Sequence, residues 1–307
     1  MSRRRGRHLF TVFRHAVLLG WTLVVLFPIG WMVMTSFKDA GDWVSWPARW
    51  VPFVDFEPTV MNYRQIFHFG DTGALRREQT EQAYNIWKAA FDSVVIVTVA
   101  SVASLLLGST LAYAISRFRT GGKNYPYTIL TIRMLPPIVV AIPMLIYFAS
   151  LPEVFAWLIG RRVEFFDTYY GLTLLYIVTT LPYVIWMMLA FVDEVPRELE
   201  HAARLMGASR LTTIRTVVFP LVASGMAVTL LFVFILNWSE FLLALTLSQP
   251  KVLTLPVLLN KFQSAVEGRL YGPQAAIGTV VTIPVVVLGF LIQKHLVKGF
   301  SFGMIRR

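Results

Sequence analysis

Along this 307-residue chain the apolar positions gather in runs of about twenty, separated by charged segments. A single large soluble core could absorb as many apolar residues, but it would not need them in unbroken stretches. About twenty residues of α-helix cover roughly 30 Å, the thickness of a bilayer's hydrocarbon layer. Six membrane helices are therefore predicted, over 16–37, 89–116, 125–150, 171–192, 221–246 and 273–293. The expected fold class is all-α, a polytopic membrane protein whose six transmembrane helices form one domain over 16–293. Segment 1–15 precedes it and a tail, 294–307, follows. Arg3, Arg4, Arg5 and Arg7 give the start a superficial likeness to a secretory signal. The first run is too long for a signal's apolar core and no small-residue cleavage site follows, so it is read as a retained helix.

Charge sets the orientation. With the N-terminus inside, the inner segments carry 16 Lys and Arg and the much longer outer segments 11. Cytoplasmic loops carry the excess of basic residues, so both termini are expected in the cytoplasm. Trp31, Trp43, Trp46 and Trp50 lie near the outer end of the first run, where indole rings commonly anchor to the interface. The outer loop 38–88, with Pro47, Pro52 and Pro58, reads as a folded cap on the membrane.

Composition removes other classes. Hydrophobic residues make up 56% and charged ones only 15%, with mean hydropathy +0.62, far from an ordinary cytosolic enzyme. No cysteine is present, which excludes a disulfide scaffold, a Cys-ligated zinc site and a thiol nucleophile, and five scattered histidines leave little for a metal. The net charge of +11 is explained by topology, since the basic residues sit at the ends of apolar runs, and no nucleic-acid partner is expected.

Polar groups inside the runs are candidates for function, because an ionisable group in a span costs a few kcal/mol and faces protein or water. Asp92 and Glu240 are expected near the outer surface, where either could be wet. Arg133 lies about eight residues, or roughly 12 Å, above the inner end of the third run. Pro136 and Pro137 follow and remove backbone donors, so this helix is expected to kink or open. Freed carbonyls at membrane depth need protein or water around them, which suggests a polar pathway. The alternative is that Arg133 snorkels inward and the prolines only shape packing. In the fifth run Asn237, Trp238, Ser239 and Glu240 combine an aromatic face with hydrogen-bonding groups, suited either to a polyhydroxylated ligand or to interfacial anchoring.

Between the fourth and fifth runs lies loop 193–219. Pro196 and the acids around it suit a helix start, and Gly207 suits its end. Val195, Leu199, Ala202 or Ala203 and Met206 are expected on one apolar face, with Arg197, Glu198, Glu200 and Arg204 pointing elsewhere. A second helical run, Leu211, Ile214, Val217 and Val218, leads to Pro220. The small Ala202 and Ala203 favour close approach of a partner protein over membrane anchoring.

These residues resemble the EAA loop of permease subunits of binding-protein-dependent ABC importers: Glu-Ala-Ala, three residues, Gly, nine more, then Ile-x-Leu-Pro. Ala202, Ala203, Gly207 and Pro220 match in register. His201 stands in place of the Glu, with Glu200 beside it as a substitute carboxylate, and Met206 stands where many relatives have Asp. Thr35-Ser36-Phe37-Lys38, Asn62-Tyr63-Arg64, Ala112-Tyr113-Ala114 through Arg117-Phe118, Arg133 to Pro137, Asn237 to Glu240 and Val297-Lys298-Gly299-Phe300 are similar to the carbohydrate branch, specifically the second permease of maltose-type transporters.

The resemblance implies a type I ABC importer permease fold in the bacterial inner membrane, paired with a second permease chain, two ATPase subunits that bind ATP and Mg, and an extracytoplasmic sugar-binding protein. Glu200, His201, Ala202, Ala203, Met206, Gly207 and Pro220 would couple to the ATPase. Arg133, Pro136, Pro137, Asn237, Trp238 and Glu240 would line the substrate pathway. The chain itself is expected to have no cofactor and no catalytic residue, and Gly121-Gly122-Lys123 lacks the spacing of a phosphate-binding loop. The rival is a proton-coupled secondary carrier, which needs a titratable group near mid-membrane. Only Arg133 lies there, and arginine does not release its proton. A membrane-embedded enzyme would need acids or histidines within the runs, and all five histidines, His15 among them, are expected outside.

Overall fold

In a bilayer every backbone donor must be satisfied within its own segment, so the apolar runs become long helices. The computed structural model describes residues 2–67, 86–122, 124–131, 134–248, 251–264 and 268–302. Its helices are α1 (Ser2–Ser36), α2 (Met61–Phe67), α3 (Ile86–Phe118), α4 (Tyr125–Thr131), α5 (Pro137–Ile159), α6 (Tyr169–Asp193) and α7 (Arg197–Leu205). There follow α8 (Arg210–Thr213), α9 (Phe219–Leu221), α10 (Ala223–Trp238), α11 (Leu242–Leu247), α12 (Leu255–Asn260) and α13 (Tyr271–Phe302). A two-residue antiparallel ladder, β1 (Gln263–Ser264) with β2 (Gly268–Arg269), precedes the last helix. Among the described residues five helices are long and apolar enough to cross a membrane, or six when the bent pair Arg210–Leu221 and Ala223–Trp238 counts as one span.

The chain divides into two compact units, Met1–Asn85 with Leu259–Thr282, and Ile86–Leu258 with Ile283–Arg307. In the first, the apolar part of α1 runs from Phe10, earlier than expected, so His15 falls in the second turn of that span rather than outside it. Beyond the outer end of α1 the loop closes on Lys38, which is 1% exposed. Its ammonium donates to the Arg49 carbonyl oxygen at 2.6 Å and lies 4.1 Å from the Trp31 ring centre. Burial lowers its pKa, and the nearby charges of Asp42 and Asp55 oppose that shift. Asn62 donates to the carbonyl oxygens of Ser36 and Lys38, and the Tyr63 and Ser36 hydroxyls meet at 2.8 Å. Two motifs quoted separately from the sequence, 35–38 and 62–64, are thus one contact. Trp50 packs on Trp31 and Phe27, Trp43 donates to the Lys38 carbonyl oxygen, and Trp46 is left exposed.

The second unit is built around α3 and α6. Ala100, Ser104, Gly108 and Ala112 recur every fourth residue on α3 and all are buried. Small residues at that spacing let membrane helices approach closely, since between helices in lipid it is packing rather than hydrophobicity that drives association. At Gly108 a Cβ would collide with the Val184 side chain of α6, so only glycine fits. Four residues nearer the N-terminus, Ser104 and Thr180 hydroxyls bond across the pair at 2.9 Å. Helix α10 completes the core, with Val233 and, just before the helix, Val222 packed among Leu105, Val184 and Met188.

Two expected spans are interrupted. In place of one helix over 125–150, α4 stops at Thr131 and α5 begins at Pro137 and continues to Ile159. The Pro136–Pro137 pair opens the helix as expected. Pro136 is held in an extended conformation as N-cap, and Pro137 takes the first helical turn, where no donor is needed. The fifth span, expected to be continuous over 221–246, bends by 78° around Val222, ends at Trp238 and resumes as α11. Glu240 caps the resumed helix, its Oε1 accepting the Leu243 N–H at 2.9 Å.

Asp92 is not wet. It is fully buried, and its carboxylate accepts from the Lys88 ammonium at 2.7 Å, the Tyr169 hydroxyl at 2.6 Å and the Leu253 N–H at 3.0 Å. Ser93 accepts the Leu255 N–H beside it. One carboxylate thereby ties α3, α6 and the segment before α12 together. Asp92→Ala removes the acceptor of the Tyr169 hydroxyl and of the Leu253 N–H, and should destabilise the fold by about 3 kcal/mol. Thermal unfolding in detergent measures this, with a smaller loss expected for Asp92→Asn. An unchanged transition for the alanine variant would contradict the clamp.

Candidate functional site

Helix α7 is nine residues long and would not persist alone in water. Its sequence starts and stops it sharply. Pro196 holds the N-cap with an extended backbone, Glu198 and Glu200 sit in the first turn and Arg204 in the last, all favourable to the helix dipole. Gly207 takes φ +89°, a left-handed conformation that glycine reaches without strain. Its N–H bonds the Arg204 carbonyl oxygen and the Ala208 N–H bonds that of Ala203, closing the C-terminus. Two residues on, the Ser209 hydroxyl caps α8 by accepting the Thr212 N–H. Helix α8 continues through a π-helical turn, Ile214–Val218, into α9, where Pro220 lies in the first turn.

What fixes α7 in place is a buried ion pair. Arg117 in the last turn of α3 donates from Nε to Glu200 Oε1 at 2.6 Å, and both side chains are only 8% exposed. Tyr113, one turn earlier on α3, donates its hydroxyl to Glu200 Oε2 at 2.6 Å. The remaining guanidinium donors reach the carbonyl oxygens of Val192 and Val195, at 3.0 and 2.8 Å, and the Ser116 hydroxyl oxygen at 3.2 Å. The Ser116 hydroxyl in turn bonds Asp193, and Arg197 donates to the Ser116 carbonyl oxygen. Both carboxylate oxygens and all the guanidinium nitrogens are thus used, which is the condition under which a buried pair holds.

This arrangement corrects the sequence reading of the loop. Glu200, expected off the apolar face and as a coupling residue toward the ATPase, is turned inward and tethers α7 to α3. The expected apolar positions share one face at 100° per residue, but its edge nearest Glu200, at Ala203, is turned inward while the rest of that face on α7 is left exposed. Val195 and Ala203 are buried, whereas Leu199, Ala202, Leu205 and Met206 are exposed, the last two at 89% and 83%. His201 is also exposed. Met206 and Ala202 therefore stand free for a partner, as do Gly207 and Pro220, while Glu200 does not.

Among the described residues expected along the substrate path, the two prolines are exposed and Asn237 and Trp238 are buried. Arg133 lies outside the described residues. Pro136 and Pro137 are exposed at the start of α5. Asn237 is 2% exposed and donates to the Ser101 hydroxyl oxygen of α3 at 3.0 Å, and Trp238 is 3% exposed and stacked on Phe234. Both are held by contacts within the chain itself. Sequence reasoning overlooked Tyr113 and Arg117 as functional groups. Their spacing of four residues, at the inner end of an apolar run, was the available signal, since it puts both on one helix face.

The family described as the binding-protein-dependent transport system inner membrane component matches residues 104–302. A trehalose transport system permease protein from Mycobacterium tuberculosis is 31% identical over 93% of this chain and 95% of its own. A trehalose/maltose transport system permease protein from Thermococcus litoralis is 28% identical, covering 92% of each chain. A diacetylchitobiose uptake system permease protein from Streptomyces coelicolor is 29% identical, again over 92% of each. A crystal structure of a bacterial ABC transporter that imports the acidic polysaccharide alginate contains a chain of the same fold. It superposes with TM-score 0.68 at 19% identity, covering 94% of this chain and 97% of that one.

The Arg117–Glu200 pair makes a sharp prediction. Glu200→Ala should cost about 3–5 kcal/mol by leaving the guanidinium buried without its counter-charge, and Arg117→Met should restore part of that loss in the double variant. Thermal unfolding of the four members of the cycle in detergent tests it. Strictly additive losses would show that the two side chains do not interact.

Proposed function

From the premise that this chain belongs to the inner membrane component family of binding-protein-dependent transport systems, we propose that it is the permease subunit through which an ATP-driven importer brings a sugar or sugar-like solute into the cytoplasm. The family makes it a multi-pass inner-membrane protein and a transport component rather than an enzyme. The observation that carries the reading is the two-sided α7: one face tethered to a membrane helix through Arg117–Glu200, the other exposing Leu199, Ala202, Leu205 and Met206. An exposed apolar helix face rigidly joined to a span is suited to dock in a groove on a soluble partner and pass its movement inward.

In this reading the partner is one of two ATPase subunits, which bind ATP and Mg and close on each other. Closure drags α7, and through α3 it shifts the permease between inward-open and outward-open states. A second permease chain supplies the other half of the pathway, and an extracytoplasmic binding protein delivers the solute. The carbohydrate class is supported by the names of the relatives, which are permeases for trehalose, maltose and diacetylchitobiose. Met206, where many relatives with the EAA pattern have Asp, leaves the docking face without negative charge at that position.

The deciding experiment is ATP hydrolysis by whatever copurifies with the tagged chain from native membranes, in lipid discs, with a panel of sugar-loaded binding proteins. Activity stimulated by one loaded protein is expected and would name the solute. A chain that purifies alone and without ATPase activity would sink the proposal. Gly207→Trp should insert normally yet uncouple hydrolysis from uptake, because only glycine adopts the Gly207 backbone without strain and the ring would project at the docking end of α7. Normal uptake by that variant would remove α7 from the coupling path.

A further inference from the structure

The side of α7 turned toward α3 borders a cavity that carries more positive charge than the fold uses. Tyr113, Arg117 and Phe118 of α3 form one wall, Arg197, Glu200 and Arg204 of α7 another, and Arg210 of α8 closes it. Glu200 is the sole carboxylate among the described residues of that lining, and Arg117 and Tyr113 already engage it. Arg197 donates only to the Ser116 carbonyl oxygen, at 3.3 Å, and the Arg210 guanidinium lies 4.9 Å from the Phe118 ring centre. Neither contact cancels a charge. Arg197, Arg204 and Arg210 therefore line one concavity whose only described carboxylate, Glu200, is already engaged, and His201 lines it as well.

We propose that this cavity binds a phosphate-bearing anion. Guanidinium presents paired donors in a planar fork that matches phosphate oxygens, and several such forks around one hollow suit a phosphate better than a single carboxylate. The position agrees, because the floor is the last turn of a membrane helix at its basic, inner end, the level of lipid headgroups. The cavity is also separate from the apolar docking face. At 100° per residue Arg197, Glu200 and Arg204 lie together on α7, nearly opposite Ala202 and Met206, so a partner on the apolar face leaves it open. A bound phosphate bridges α3, α7 and α8 and stiffens the lever that links the span to the cytoplasm. Two sources share this chemistry, the headgroup of an inner-leaflet anionic lipid and free inorganic phosphate. The inference does not depend on which solute is carried.

The test uses the complex that copurifies with the tagged chain, and two probes. Phosphatidylglycerol retained from mixed phosphatidylcholine discs is counted by native mass spectrometry, and inorganic phosphate is titrated into phosphatidylcholine-only discs and read by phosphorus NMR line broadening. The pair Arg204→Gln with Arg210→Gln should weaken binding roughly thirtyfold, and Arg204→Lys with Arg210→Lys much less. Retention of phosphatidylglycerol without phosphate binding assigns the headgroup, and phosphate binding assigns the free anion. The proposal fails if the wild-type complex binds neither probe saturably, whatever the variants do. It fails equally if the folded glutamine pair binds as wild type, or if cross-linking from residue 204 or 210 finds an acidic side chain of the ATPase in the cavity.

Discussion

A helix of nine residues cannot transmit force unless something outside it holds its shape and position, and here that is the salt bridge between Arg117 and Glu200. The pair sits at the C-terminal end of α3, buried from water and saturated with hydrogen bonds to Tyr113, Ser116 and the carbonyl oxygens of Val192 in α6 and Val195 in the loop. Its geometry decides which side of α7 faces in, and so which side remains for a partner. Charges that would be costly if unpaired are satisfied only in one arrangement, which gives the loop a single orientation as well as stability.

The same device recurs at the opposite end of α3. Asp92 gathers an ammonium, a phenol and a backbone N–H from three separate segments, much as Glu200 gathers a guanidinium and a phenol. Between these two carboxylates, α3 and α6 are joined by small residues and one pair of hydroxyls, with glycine at the closest approach. The second unit is thus a rigid core pinned by a buried charge at each end. The segments attached by those pins, the α7 loop and the stretch before α12, are positioned by it.

Interruptions also follow local chemistry. Proline opens the chain between α4 and α5, and Glu240 restarts a helix after Trp238. After Trp238 the freed Leu243 N–H is received by the Glu240 carboxylate, as low-dielectric surroundings require. The π-helical turn between α8 and α9 lies on the path from the loop to the fifth span. Such turns are uncommon and concentrate at functional positions.

The apolar runs were enough to establish an all-helical membrane protein, because only helix length and hydropathy are needed to span a bilayer and neither depends on the rest of the fold. The ends of α7 were legible for a similar reason: Pro196 and Gly207 act on their own backbone. What no single segment could reveal was the direction of each polar side chain. The inward turn of Glu200 and the burial of Asp92 were not legible because their partners, Arg117 and Tyr113 in one case and Tyr169 and Leu253 in the other, lie about eighty or more residues away in the chain. The burial of Asn237 against Ser101 and of Trp238 against Phe234 was likewise invisible in the sequence, since it depends on how the helices pack. Periodicity and capping are local and were written in the sequence, whereas the pairing of buried charges is long-range and was decided by the tertiary structure alone.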